Sequence, residues 1–182
     1  MLGWSGDLPK GEAVLGSTID ELLEALTSTL VLFRCRHPIS TTQTVTVAMP
    51  PLDFDSEGFA RAVAVTKRIA QQLGAPVEVL CDVRTWKAYE AAFRSAKPEV
   101  KIKHHPLESW DSLTQALLDR MTTSDLLFVL GQRGAPAPIA RKVISVAERF
   151  PDANIAMVCG PAKPERDEVV VHVMPLEAAP AG

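Results

Sequence analysis

From Thr44 to Cys159 the sequence alternates short apolar runs with stretches whose apolar residues recur at helical spacing, and this alternation limits the fold more than any other feature. Thr44-Val45-Thr46-Val47-Ala48-Met49 closes at Pro50-Pro51 and reads as a central strand. Between Ser56 and Leu73, Phe59, Val63, Ile69, Ala70 and Leu73 fall on one helical face, and Gly74 supplies a C-terminal stop. Pro76 to Cys81 predicts a second strand, Thr85 to Ala96 a helix stopped by Pro98, and Val100 to His104 a more charged strand near an edge. Asp111 to Met121 predicts another helix. Asp125-Leu126-Leu127-Phe128-Val129-Leu130 is almost wholly apolar, as in a strand buried on both sheet faces, and it ends at Gly131. A helix from Pro138 to Phe150, a strand from Ile155 to Cys159, a Pro-rich charged connection and a strand from Val169 to Met174 complete the series. Strands separated by helices of about 10 to 15 residues imply right-handed crossovers, hence an α/β fold with a doubly wound, mostly parallel sheet. Ligands of such sheets sit beyond the carboxyl ends of the strands.

A chain of 182 residues can bury one sizeable core, and 47% apolar with 23% charged residues is ordinary globular composition. The formal charge of −3 offers no strong positive field for a phosphate backbone, so nucleic acid is not the expected partner. Cys35, Cys81 and Cys159 are an odd, widely spaced set on apolar stretches, which fits buried thiols in a reducing, cytoplasmic setting. The N-terminal residues lack a basic segment followed by an apolar run, and no run reaches the about 18 apolar residues that span a bilayer, so a soluble chain is expected.

The N-terminal segment stands outside the alternation, because Met1-Leu2-Gly3 looks like the end of a strand whose body is missing. Leu2-Gly3-Trp4-Ser5-Gly6 matches Leu130-Gly131-Gln132-Arg133-Gly134, and at the same offset Gly16-Ser17 falls on Ile144-Ser145. A helix and an apolar strand follow in both places, Ile19 to Leu26 with Leu30 to Phe33, and Ala140 to Phe150 with Ile155 to Cys159. Residues 1–36 therefore read as the C-terminal remnant of a preceding repeat, 37–175 as a complete domain and 176–182 as a flexible tail. On this reading the chain is a fragment of a longer polypeptide.

Gly3 and Gly6 lie three apart, and Gly16-Ser17 follows after nine residues. Glycines let backbone approach a ligand, and a helix starting near Ser17 would offer free N–H groups and a positive dipole end to a phosphate. This spacing resembles the universal stress protein family, whose fold is adenine nucleotide alpha hydrolase-like. The resemblance implies that Gly3 and Gly6 line ribose and phosphates and that Gly16 and Ser17 hold the phosphate end. Ser17-Thr18-Ile19-Asp20 also makes a good helix cap that requires no anion. The second copy keeps Gly131, Gly134 and Ser145, with Arg133 able to meet an anion, but has Ile144 in place of the third glycine. Its first strand ends in Met49-Pro50-Pro51 where nucleotide-binding relatives place an Asp, so the pocket reads as degenerate.

Over about residues 1 to 165 the chain is similar to the cytoplasmic C-terminal region of some bacterial cation/proton antiporters, where tandem universal-stress-type domains follow the membrane part. The segments that carry this likeness are Cys35 to Met49, Gly58-Phe59, Ala70-Gln71-Gln72-Leu73-Gly74-Ala75 and Ser124-Asp125-Leu126-Leu127. The resemblance implies a non-catalytic regulatory or docking domain of a sodium/hydrogen antiporter, tethered to the inner membrane through the transporter portion of the same polypeptide. The alternative is a free-standing universal stress protein that binds an adenine nucleotide. No cofactor is required on the first reading. Because an unpaired apolar edge invites pairing, Leu30 to Phe33 should meet a late strand of this chain or of a second copy, giving a homodimer through strand edges.

Other constellations point to structure. Cys35-x-His37 lacks a second pair at zinc spacing, so no metal is expected. Asp53 and Asp55 read as loop solvation and helix capping, and no nucleophile with a nearby base, nucleophile elbow or P-loop is present, so catalysis is not expected. Lys67-Arg68 and the cluster Lys97, Lys101, Lys103, His104 and His105 read as solvated charge, His104-His105-Pro106 as the close of a strand, and Trp86 and Trp110 as rings that pack helices onto the sheet.

Overall fold

The computed structural model describes residues 2–3, 28–132 and 137–160. They form an α/β unit around one seven-stranded, mostly parallel sheet. The strands are β1 (Leu2–Gly3), β2 (Leu30–Arg34), β3 (Thr44–Ala48), β4 (Val77–Asp82), β5 (Ile102–Leu107), β6 (Asp125–Gly131) and β7 (Asn154–Cys159), in the spatial order β1-β2-β7-β6-β3-β4-β5. The helices are α1 (Ser56–Leu73), α2 (Val83–Ser95), α3 (Leu113–Leu118) and α4 (Ala137–Arg149). The strand expected at Val169 to Met174, the helix at Ile19 to Leu26 and the tail lie outside the described residues.

Two apolar layers sandwich the sheet. Phe59, Ala62, Val63 and Ala70 of α1, with Trp86 and Phe93 of α2, pack on Val45, Val47, Val79, Phe128 and Val158. On the opposite side, Leu113 and Leu117 of α3 and Val143, Ile144 and Ala147 of α4 pack on Leu80, Leu107, Leu127, Val129 and Met157. Every residue of β6 and β7 is buried, as a strand covered on both faces requires.

Local signals set the helix ends. The Asp55 carboxylate accepts from the Gly58 N–H and caps α1, and Gly74 closes it at φ 65°, a left-handed conformation that glycine takes without strain. Asp82, last residue of β4, accepts from the Thr85 N–H at 2.9 Å and from its hydroxyl at 2.6 Å, so α2 follows its strand without a loop. The third strand differs from expectation: β5 runs on through Pro106 to Leu107. Among the described residues β5 pairs only with β4, and an edge strand has a free side where a missing N–H costs no ladder bond.

β2 joins the sheet antiparallel to β7, with Val31 opposite Val158 and Leu32 opposite Met157. It is flanked on its other side by β1, in parallel register. β7 thus covers Leu30 to Phe33 along one edge and β1 covers Leu32 and Phe33 along the other, so the late strand expected to pair with this segment comes from the same molecule. The two halves of this seam correspond. Leu2 and Gly3 pair with Leu32 and Phe33, and Leu130 and Gly131 pair with Val158 and Cys159, in the same parallel sense. A local two-fold relation thus runs between β2 and β7, matching the Leu-Gly repeat.

Candidate functional site

Strand order reverses beside β3: β4 lies on one side of it and β6 on the other, each in parallel register. The carboxyl ends of β3 and β6 are therefore the switch point at which an open α/β sheet receives a ligand. Met49 to Asp55 and Gly131-Gln132 form its described rim.

The β3 side is held by aromatic packing. The Tyr89 hydroxyl donates to the Leu52 carbonyl at 3.2 Å and accepts from the Phe54 N–H at 2.8 Å. The rings of Phe54, Phe59 and Tyr89 lie 4.8 to 5.3 Å apart, centroid to centroid. Hydrogen bonds to Tyr89 thus fix the loop that carries Pro50 and Pro51. On the β6 side, the Gln132 amide oxygen is buried and has no hydrogen-bond partner among the described residues.

The glycines near these strand ends serve packing. A Cβ on Gly131 would stand 2.7 Å from Cys159 Sγ. A Cβ on Gly160 would lie 2.2 Å from the Gly58 carbonyl oxygen, so the end of β7 meets the first turn of α1 backbone to backbone. Gly3 pairs with Phe33 in β1. Gly6, Gly16, Ser17, Arg133 and Gly134 lie outside the described residues. Ser145 lies within α4. It is the ninth residue of α4, about 12 Å along the axis from the helix start, so its N–H belongs to the helix ladder rather than to a phosphate at the helix terminus. Ile144 beside it is buried in the core, which is why a branched aliphatic residue stands there.

Several potential acid–base and nucleophilic groups among the described residues are bound to neighbouring structure. His104 Nε2 lies 3.5 Å from Cys81 Sγ and 3.2 Å from the Cys81 carbonyl, while its ring stacks on Trp86 at 4.6 Å and 10°. Burial, and secondarily the Asp82 carboxylate, push the Cys81 thiol up to about 12, the opposite of an activated nucleophile. Burial would raise Asp82 too, but hydrogen bonds from Thr85 and neighbouring N–H groups outweigh it and hold the carboxyl below its ordinary value. Cys35 Sγ donates to the His37 carbonyl at 3.1 Å, and no cluster of three metal-ligating side chains occurs among the described residues.

Three buried polar side chains escaped the sequence reading. Lys67, taken as solvated charge, is 1% exposed: its ammonium donates to the carbonyls of Phe93, Arg94 and Ala96 at the end of α2. Burial, with Lys97 adding to it, lowers its pKa against the pull of Glu99. The signal was present, since Val63, Lys67 and Ala70 continue one helical stripe. Arg34 reaches from β2 to the carbonyls of Ala147 and Phe150 at the end of α4, at 2.8 and 2.5 Å. Asn154 binds the link after β2, its Oδ1 accepting from the N–H groups of Arg36 and His37 and its amide donating to the His37 carbonyl. Among the described residues no helix is long and apolar enough to cross a membrane.

No family model and no curated protein matches this chain.

Proposed function

We propose that this chain is a non-catalytic regulatory or docking region of a cation/proton antiporter, built from a doubly wound universal-stress-type domain with the closing strands of a preceding one. The observation that carries the reading is the seam between β2 and β7. There the parallel pair β1–β2 faces the parallel pair β7–β6 across an antiparallel junction, as two repeats of one domain would pack. Arg34 and Asn154 fasten that junction, so a displacement of the first repeat is transmitted to α4 and to the start of β7. The region acts by conformational coupling on the cytoplasmic side, without chemistry of its own.

The test is the size and location of the native polypeptide, read with an antibody against this region in membrane and soluble fractions. A membrane-bound band far larger than 19.7 kDa supports the reading, and a soluble band near 19.7 kDa overturns it.

A second reading, an adenine-nucleotide-binding stress protein, is favoured by Gln132. A buried amide oxygen at the switch point with no partner among the described residues is what a ligand donor would satisfy. Isothermal titration with ATP decides it: heat of binding lost in Gln132→Ala supports this second reading, and none in the parent chain removes it.

A further inference from the structure

The sheet ends at β5, on the side away from the seam of β2 and β7. β5 runs parallel to β4, and the Val77 N–H donates to the Lys101 carbonyl at 2.8 Å. In a parallel ladder one residue turns both main-chain groups to its neighbour and the next turns both away, so Lys103, His105 and Leu107 face β4. Ile102 and His104 therefore each present an N–H and a carbonyl to the open side, and Pro106 presents a carbonyl. Among the described residues no strand receives them.

The same edge gathers positive charge in a chain that is negative as a whole. From Val83 to Leu107, the start of α2 to the end of β5, there are six Lys and Arg against two Asp and Glu, whereas the whole chain holds 19 against 22. Both acids are paired within that stretch, Glu90 with Arg94 at 2.8 Å and Glu99 with Lys97. Lys101, immediately before β5, and Lys103 within it are exposed, and neither has an ion pair among the described residues. Two residues apart on extended chain, they stand on one face of the sheet. The other face is apolar: Ile102 packs with the cluster under α1 and α2, and the His104 ring stacks on Trp86 at 4.6 Å.

We propose that β5 is a docking edge for an extended acidic segment of a partner protein, which adds to the sheet as a further strand. Its carboxylates alternate on the face of Lys101 and Lys103, and its apolar residues lie beside Ile102 and Trp86 on the other face. Main-chain hydrogen bonds hold the segment, and the two lysines select its charge. A second copy of this chain is the poorer occupant, because it brings the same cations and the same missing N–H at Pro106 to the pairing. A membrane surface would engage the lysines but leave the row of main-chain groups unused. The edge is at the far end of the sheet from β2, so this inference stands apart from the transporter reading.

NMR titration of the complete chain with a short blocked peptide of alternating glutamate and valine tests it. The expected result is a set of shifts centred on the Ile102 and His104 amides, whose hydrogen exchange slows by about fivefold or more at saturation. Binding should weaken by about tenfold or more when Lys101→Glu and Lys103→Glu are combined. The same peptide with every main-chain nitrogen methylated should not bind, since it lacks the donors that a strand needs. No shift at β5 up to about 1 mM peptide overturns the proposal, as does equal binding by the double variant or by the methylated peptide. Sedimentation with phosphatidylserine vesicles that needs Lys101 and Lys103, while the peptide leaves β5 unmoved, assigns the cations to a membrane and also overturns it.

Discussion

The Sγ of Cys159 lies 2.7 Å from the point where a Cβ on Gly131 would stand. This pair, in register across β6 and β7, explains the glycine without a ligand. Gly131→Ala should destabilise the chain by about 1–3 kcal/mol through overpacking. In a Cys159→Ala background the same substitution should cost less than half as much, because the sulfur is gone. A urea double-mutant cycle reads the coupling. Additive costs would mean that Gly131 is demanded by something other than Cys159.

Asn154 holds the chain between β2 and β3 through three hydrogen bonds to Arg36 and His37. Asn154→Ala leaves those groups without their partner, so a loss of about 1–3 kcal/mol is expected in urea unfolding. Hydrogen exchange should rise first at Arg36 and His37. A loss spread evenly over the sheet would argue that Asn154 serves β7 rather than the junction.

Tyr89→Phe removes the hydroxyl that fixes Leu52 and Phe54 but keeps the ring among Phe54 and Phe59. Global stability should fall by only about 1 kcal/mol, while amide protection of residues 52–55 falls by about tenfold. An unchanged exchange rate there would show that the rings alone order the rim of the switch point.

Cys81 and Lys67 pull alkaline stability in opposite directions. The Cys81 thiol ionises near 9 when unfolded and is pushed up to about 12 in the fold, so between those values the folded chain holds the extra proton and stability falls as pH rises. Lys67 is lowered from 10.5, so below that value the unfolded chain holds more protons and stability rises with pH. Urea unfolding at pH values from about 8.5 to about 10.5 should show Cys81→Ala flattening or reversing the decline. An unchanged slope in Cys81→Ala would mean that other groups govern it. Buried Cys81 should also react with iodoacetamide far more slowly than half-exposed Cys35.

Much of this architecture was legible because its causes are local. The apolar run Asp125 to Leu130 predicts a strand covered on both faces, and β6 is buried throughout. Asp55 and Gly74 mark the ends of α1 through bonds and torsions within a few residues of themselves. Proline was misread as a stop in β5 because sequence cannot say which strand lies at an edge, and only there is the missing N–H harmless. At the candidate site, Gly131 was found at the switch point, but Tyr89 and Gln132 were not, since neither residue type signals its partners.

The sequence by itself determined the α/β alternation, the apolar strands and the helix ends, because periodicity and capping act over a few residues. Tertiary structure alone decided where the long polar side chains finish. Arg34 meets Ala147 from 113 residues away, and Lys67 leaves its own helix to bind the end of α2. A lysine, an arginine or a histidine carries both an apolar stem and a polar head, so its sequence neighbours do not settle whether water or a carbonyl receives the head. Packing settled that for Lys67 and Arg34, when the fold brought carbonyls from distant segments within reach.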